Sequence, residues 1–115
     1  NAQREDWQSS PPQFETRCGW FSYSMSSSIS LYDREGKWDI NDKWGYKMQG
    51  EWDRPVFKLE QKIKTKTRDE YGCVCMDVKV SRQSNRILEI KNTRVQPLDV
   101  CRRDPGLKRW KHSFK

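Results

Sequence analysis

Four cysteines constrain this chain more than any other feature. They stand at Cys18, Cys73, Cys75 and Cys101 of 115 residues. An even cysteine count in a short chain points to a disulfide framework and therefore to an oxidising compartment. Zinc is the competing use, but a structural zinc site carries two Cys-x2-4-Cys knuckles or a Cys/His set. Here there is one Cys-x-Cys, two isolated cysteines and a single histidine, His112, in what reads as a tail. The sequence therefore predicts two disulfides and no metal or other cofactor. Side chains alternate along a strand, so Cys73 and Cys75 project from one face. A bridge between them is disfavoured in an extended strand, so Cys18 and Cys101 each pair with one of the two, in either of two arrangements.

The staples matter because apolar residues are scarce: 33% of the chain is hydrophobic and 34% is charged. Each bridge is worth about 2–4 kcal/mol. Six Trp, four Tyr and four Phe supplement the thin core, since each ring buries a large area. No apolar run exceeds a few residues, so no membrane-spanning helix is expected. The chain opens on Asn rather than Met, which fits a processed product from which an export signal has been removed.

Residues 1–16, with Ser9-Ser10 and Pro11-Pro12, read as a flexible arm. Residues 17–107 read as one disulfide-stapled domain, and 108–115 as a basic tail. Within the domain the punctuation is that of strands and turns. Cys18 to Tyr23 suits a strand, and Ser22 to Ser30 is a loop or an alternating strand. Ser30-Leu31-Tyr32 and Lys37-Trp38-Asp39-Ile40 flank Asp33-Arg34-Glu35-Gly36, a hairpin signal. Trp44 to Met48 and Val56 to Leu59 read as further strands. Met76, Val78 and Val80 alternate with Asp77 and Lys79, Ser81 to Asn85 reads as a turn, and Arg86 to Val95 as the return strand with Leu88 and Ile90 inward. Asp99 to Arg103 reads as one helical turn capped by Asp99 and stopped by Pro105-Gly106. The expected class is mainly β: a small antiparallel sheet or a sandwich- or barrel-like domain of five to seven short strands, with little helix.

The segments Arg17-Cys18-Gly19-Trp20-Phe21, Asp33 to Ile40, Tyr71-Gly72-Cys73-Val74-Cys75 and Cys101-Arg102-Arg103-Asp104-Pro105 resemble a family of small exported bacterial proteins of unknown function. The resemblance covers about residues 17–107. It implies export, disulfides and a single domain, and it carries no activity or catalytic residue over to this chain. The chain departs from the family pattern at Ser22 to Ser30, where the family has an Asn/Pro-rich loop ending in Trp.

Catalytic residues are hard to assemble. His112 is too near the end to be held rigidly, and the cysteines are assigned to bridges. Asp33, Glu35, Asp39 and Asp42 crowd one hairpin and could flank a glycosidic bond, although Asp33 and Glu35 also suit a turn. No catalytic set is assigned, and a cell-wall or polysaccharide-acting enzyme using the acidic hairpin stands as the alternative. Trp20 and Trp38 lie in strand segments and are expected in the core, whereas Trp44 and Trp52, beside Gly and charged residues, are expected to be exposed for binding.

Charge supplies the last constraint. Residues 1–57 hold seven Lys/Arg and nine Asp/Glu, a net of −2, and residues 58–115 hold sixteen and seven, a net of +9. Such a field suits an acidic protein partner or an anionic glycan. Nucleic acid is disfavoured by the disulfides, which place the chain outside the cytosol, periplasmic or secreted. Arg102, Arg103, Lys108, Arg109 and Lys111 are the candidate binding cations, expected to act through charge, with little order beyond Leu107. The expected function is an exported, non-enzymatic binding protein, of the inhibitor or immunity type, neutralising a periplasmic toxin or hydrolase.

Overall fold

A computed structural model describes residues 13–24 and 28–110. The expected arm before Gln13, Met25 to Ser27 of the serine segment, and Lys111 and His112 lie outside the described residues.

Strand β1 (Glu15–Tyr23) pairs antiparallel with β2 (Ile29–Tyr32), which turns back through Asp33 to Gly36 into β3 (Lys37–Asn41). Its other edge pairs antiparallel with β5 (Glu70–Ser81). β5 forms a hairpin with β6 (Arg86–Gln96), and the short β4 (Lys62–Lys64) lies beside the start of β5. β3 meets β6 in a single parallel bridge, Asp39 to Arg86. The pairings β1–β2–β3–β6–β5–β1 therefore close a ring of five strands, with β4 added alongside. The ring is barrel-like and mixed rather than wholly antiparallel. Closure covers strand edges that a small open sheet would leave bare.

Alternation sorts the side chains between two cores. Phe21, Ile29, Leu31, Trp38, Ile40, Val74, Met76, Val78, Val80 and Ile87 fill the interior, with Met48 added from a loop. On the outer face of β1 and β5, Trp20 and Cys73 meet Cys101 and Leu107 from the C-terminal segment. That segment is α1 (Leu98–Arg103) followed by a 3-10 helix over Pro105–Trp110. Trp20 and Trp38 are thus both buried as expected, but in different cores. The disulfides are Cys18–Cys75, directly across β1 and β5, and Cys73–Cys101, which ties α1 to β5.

Several local expectations fail for identifiable reasons. Trp44 to Met48 forms no strand: the Asp42 carboxylate accepts the Trp44 and Tyr46 N–H groups at 2.9 Å each, and the chain curls into a turn with Gly45 at φ +109°. Only Lys47 bridges back to Asn41. Val56 to Leu59 likewise forms no strand; a 3-10 turn covers Leu59–Gln61, and Val56 and Leu59 are exposed. Phe57 instead packs against the interior and lies over Gly72, where a Cβ would collide with its ring. On β6 the inward residues are Ile87 and Ile90, not Leu88 and Ile90, because two register shifts against β5 interrupt the alternation. Pro97, not Asp99, precedes α1; Asp99 lies within its first turn and pairs with Arg102 and Arg103. α1 does end at Arg103, just before Pro105-Gly106 as expected, but that pair also opens the following 3-10 helix, since proline suits a first helical position. At the other end, Glu15 and Thr16 belong to β1 rather than to the arm.

The outer face of β5 carries one strongly perturbed carboxyl. Arg94, Thr16 and Asn92 donate to Asp77, and the Arg94 hydrogen bond does most to hold it well below the usual carboxylate range.

Two outcomes are expected. Peptide mapping without reductant should recover Cys18 joined to Cys75 and Cys73 joined to Cys101; crossed pairs would refute this topology. For Asp77 the folded-state pKa lies below the usual 3.8, so its stabilisation is complete above that value and is lost progressively as pH falls from there towards the folded-state pKa. The melting temperature of Asp77→Asn, followed by circular dichroism, should therefore fall less between neutral pH and about pH 3 than that of the parent chain.

Candidate binding groove

Two features meet near the C-terminal segment: an ion-pair hub and a groove. The hub is Asp33, 2% exposed. Its Oδ1 accepts from the N–H groups of Glu35 (2.9 Å) and Gly36 (3.1 Å) and from Trp38 Nε1 (2.9 Å). Its Oδ2 accepts from Arg17 at 2.7 Å. Arg17 also donates to Glu35 at 2.9 Å and to Glu15 at 3.3 Å, and its guanidinium lies 4.3 Å from the centre of the Trp38 ring. Burial opposes the Arg17 charge, but Asp33, Glu35 and Glu15 outweigh it, and the guanidinium pKa is raised. A buried cation in a strand needs such a partner, because removing either half leaves a charge stranded in a low dielectric.

The hub also sets the C-terminal segment. Trp110 Nε1 donates to the Asp33 carbonyl at 2.8 Å, and its ring meets Tyr32 edge-on at 4.9 Å. Arg109 donates to the Arg34 carbonyl and stacks on Trp110. Ordered packing therefore continues past Leu107 to Trp110. Asp104 accepts the Gly106 N–H at 2.8 Å and so fixes the corner between α1 and the 3-10 helix.

Under that corner opens a groove of about 440 Å³. Trp20, Ile63, Leu107 and Cys101 form its apolar walls, and Arg102, Lys108 and Asp104 its polar rim. Arg102 lies 3.9 Å from Asp99, while Lys108 has no carboxylate within ion-pair distance among the described residues. The groove can take an apolar side chain against its floor and carboxylates at its rim.

The predicted site residues scatter around this arrangement. Arg102 and Lys108 border the groove; Arg103, paired with Asp99, does not line it, and Arg109 is engaged in packing. Lys111 lies outside the described residues. Trp44 is 83% exposed, but Trp52 is half-buried with its ring edge-on to Phe21. The carboxylates of the acidic hairpin all have structural partners: Asp33 is the hub, Glu35 binds Arg17, Asp39 accepts from Ser30, and Asp42 holds its turn. All four cysteines are bridged, so none is available as a nucleophile. Sequence reading missed Arg17, whose signal is a cation beside Cys18 in an aromatic strand. It also missed Ile63 and Leu107, which are unremarkable in sequence and become a floor only when α1 folds back.

The family model described as "Protein of unknown function (DUF4087)" matches residues 12–108. No curated protein and no solved structure matches the chain.

The hub makes a graded prediction. Asp33→Ala should lower unfolding stability in urea by about 3–5 kcal/mol, because it takes from Arg17 its buried partner and leaves the Trp38 indole N–H without an acceptor. Glu35→Gln, at the exposed end of the same network, should cost less than ~1 kcal/mol. Equal losses would show that burial does not decide the role of each carboxylate.

Proposed function

We propose, on the premise that this chain belongs to that family of uncharacterised proteins, that it is an exported, non-enzymatic binding protein with an acidic protein partner. The observation that carries the reading is the groove under α1. It joins an apolar floor to the cations Arg102 and Lys108, and the Cys73–Cys101 bridge holds it in place. An apolar anchor with acidic flanks on the partner would fill it. The two disulfides fit a compartment outside the reducing cytosol, and the periplasm of a bacterium is the specific location we favour. An inhibitor or immunity-type protein acting on a periplasmic toxin or hydrolase combines these properties: small size, a preformed recognition surface and a +9 half that accelerates encounter with an acidic target.

The test is an affinity pull-down from the native envelope fraction with the intact chain and with Arg102→Glu/Lys108→Glu in parallel. A stoichiometric acidic protein retained by the first and lost by the second is the expected result. With that protein purified, the association rate should fall steeply with salt for the intact chain, since the field is screened over ~8 Å at physiological ionic strength. Charge reversal should lower that rate by about tenfold at low salt. Retention of the same partner by both chains would place recognition elsewhere, and turnover of a cell-wall glycan lost in Asp39→Asn would favour the enzyme alternative.

A further inference from the structure

Among the described residues Trp44 is the largest side chain the fold leaves outside, and its loop is closed rather than loose. Asp42 and Tyr46 bond through their backbones at 3.0 Å, and the Asp42 carboxylate takes the Trp44 and Tyr46 N–H groups. The Tyr46 hydroxyl is anchored on the Ile87 carbonyl of β6. The indole is thus presented on a braced loop at 83% exposure. An aromatic side chain buries a large area when it finds a partner, and here none of the interior claims it.

Beside the ring runs a shallow groove of about 140 Å³, bordered by Ser30, Lys37, Asp39, Asn41 and Lys43. With Ser28 and Asp42, which also line it, it offers hydrogen-bond donors and acceptors side by side: a carboxamide, two carboxylates, two hydroxyls and two ammonium groups. We propose that Trp44 and this groove form a binding site for an anionic saccharide. A pyranose ring has an apolar C–H face that covers an indole, and hydroxyls at its edge that need both donors and acceptors. A flat apolar ligand would leave these polar groups desolvated and without partners, which costs affinity.

Charge selects the anionic class. Asp42 is committed to backbone amides and lies 3.9 Å from Arg86, and Asp39 is shared by Ser30 at 3.2 Å and Lys37 at 3.9 Å. The Lys43 ammonium stands 5.2 Å from the indole centre and has no carboxylate within ion-pair distance among the described residues. It is placed to meet a carboxylate carried by the sugar. These residues are separate from the groove under α1, so this proposal stands or falls independently of the protein partner.

The test uses tetragalacturonate as the anionic probe and cellotetraose as the neutral one. The indole N–H resonance of Trp44 is identified by its disappearance in Trp44→Phe. Titration with tetragalacturonate should shift that resonance at millimolar concentration and cellotetraose should shift it less. Trp44→Ala, at an exposed position, should keep the fold and weaken tetragalacturonate binding by roughly tenfold, and Lys43→Ala should remove the preference for the anionic probe. Absence of any shift with tetragalacturonate, undiminished affinity in Trp44→Ala, or cellotetraose binding as tightly as the uronate would each overturn the proposal.

Discussion

Both disulfides leave the same face of one strand, and the architecture follows from that placement. Cys73 and Cys75 point outward from β5, so the interior is left to Val74, Met76, Val78 and Val80. Cys75 locks β1 alongside β5, and Cys73 draws α1 onto the outer wall. In a chain with so few aliphatic residues, two covalent links do what a second hydrophobic layer does in larger domains. The outer core of Trp20, Leu107 and their neighbours is small, and the bridge is what keeps it assembled.

Asp33 performs the corresponding polar task. A tight turn, a tryptophan indole, an arginine from β1 and, through the carbonyl of the same residue, the indole of Trp110 all converge on it. Desolvating a carboxylate is costly, and its four donors repay that cost only as a complete set. A misplaced Arg17 or Trp38 would leave this buried carboxylate short of donors, at a cost in stability.

How much of this was legible in the sequence depended on whether the cause was local. The hairpin around Asp33 to Gly36, the alternation of β5 and the burial of Trp20 and Trp38 follow from residue types and period, and the structure has them. The segment from Trp44 to Met48 has strand composition, yet one Asp42 carboxylate caps two amides and overrides it. The inward face of β6 could not be read because two register shifts, at Lys91 and Leu88, break its alternation and show only in the pairing with β5. The groove was half visible: Arg102 and Lys108 stood out as cations, whereas Ile63 and Leu107 gained meaning only from contacts distant in sequence.

The one-bridge junction of β3 with β6 has a mechanical meaning. Neither disulfide crosses it: one joins β1 to β5 and the other joins β5 to α1. Besides that bridge, the seam is sewn by a backbone bond from Gln49 to Leu88 and by the hydroxyl of Tyr46 on Ile87. The molecule is therefore built as a covalently linked block of β1, β5 and α1, to which the β2–β3 hairpin is held non-covalently, by its pairing with β1, by the Arg17–Asp33 pair and by Trp110 on the Asp33 carbonyl. The loop bearing Trp44 sits at this non-covalent seam, whereas the groove under α1 is fastened by a disulfide. The two surfaces thus differ in kind: reduction would release the wall of one and leave the hydrogen bonds that brace the other untouched.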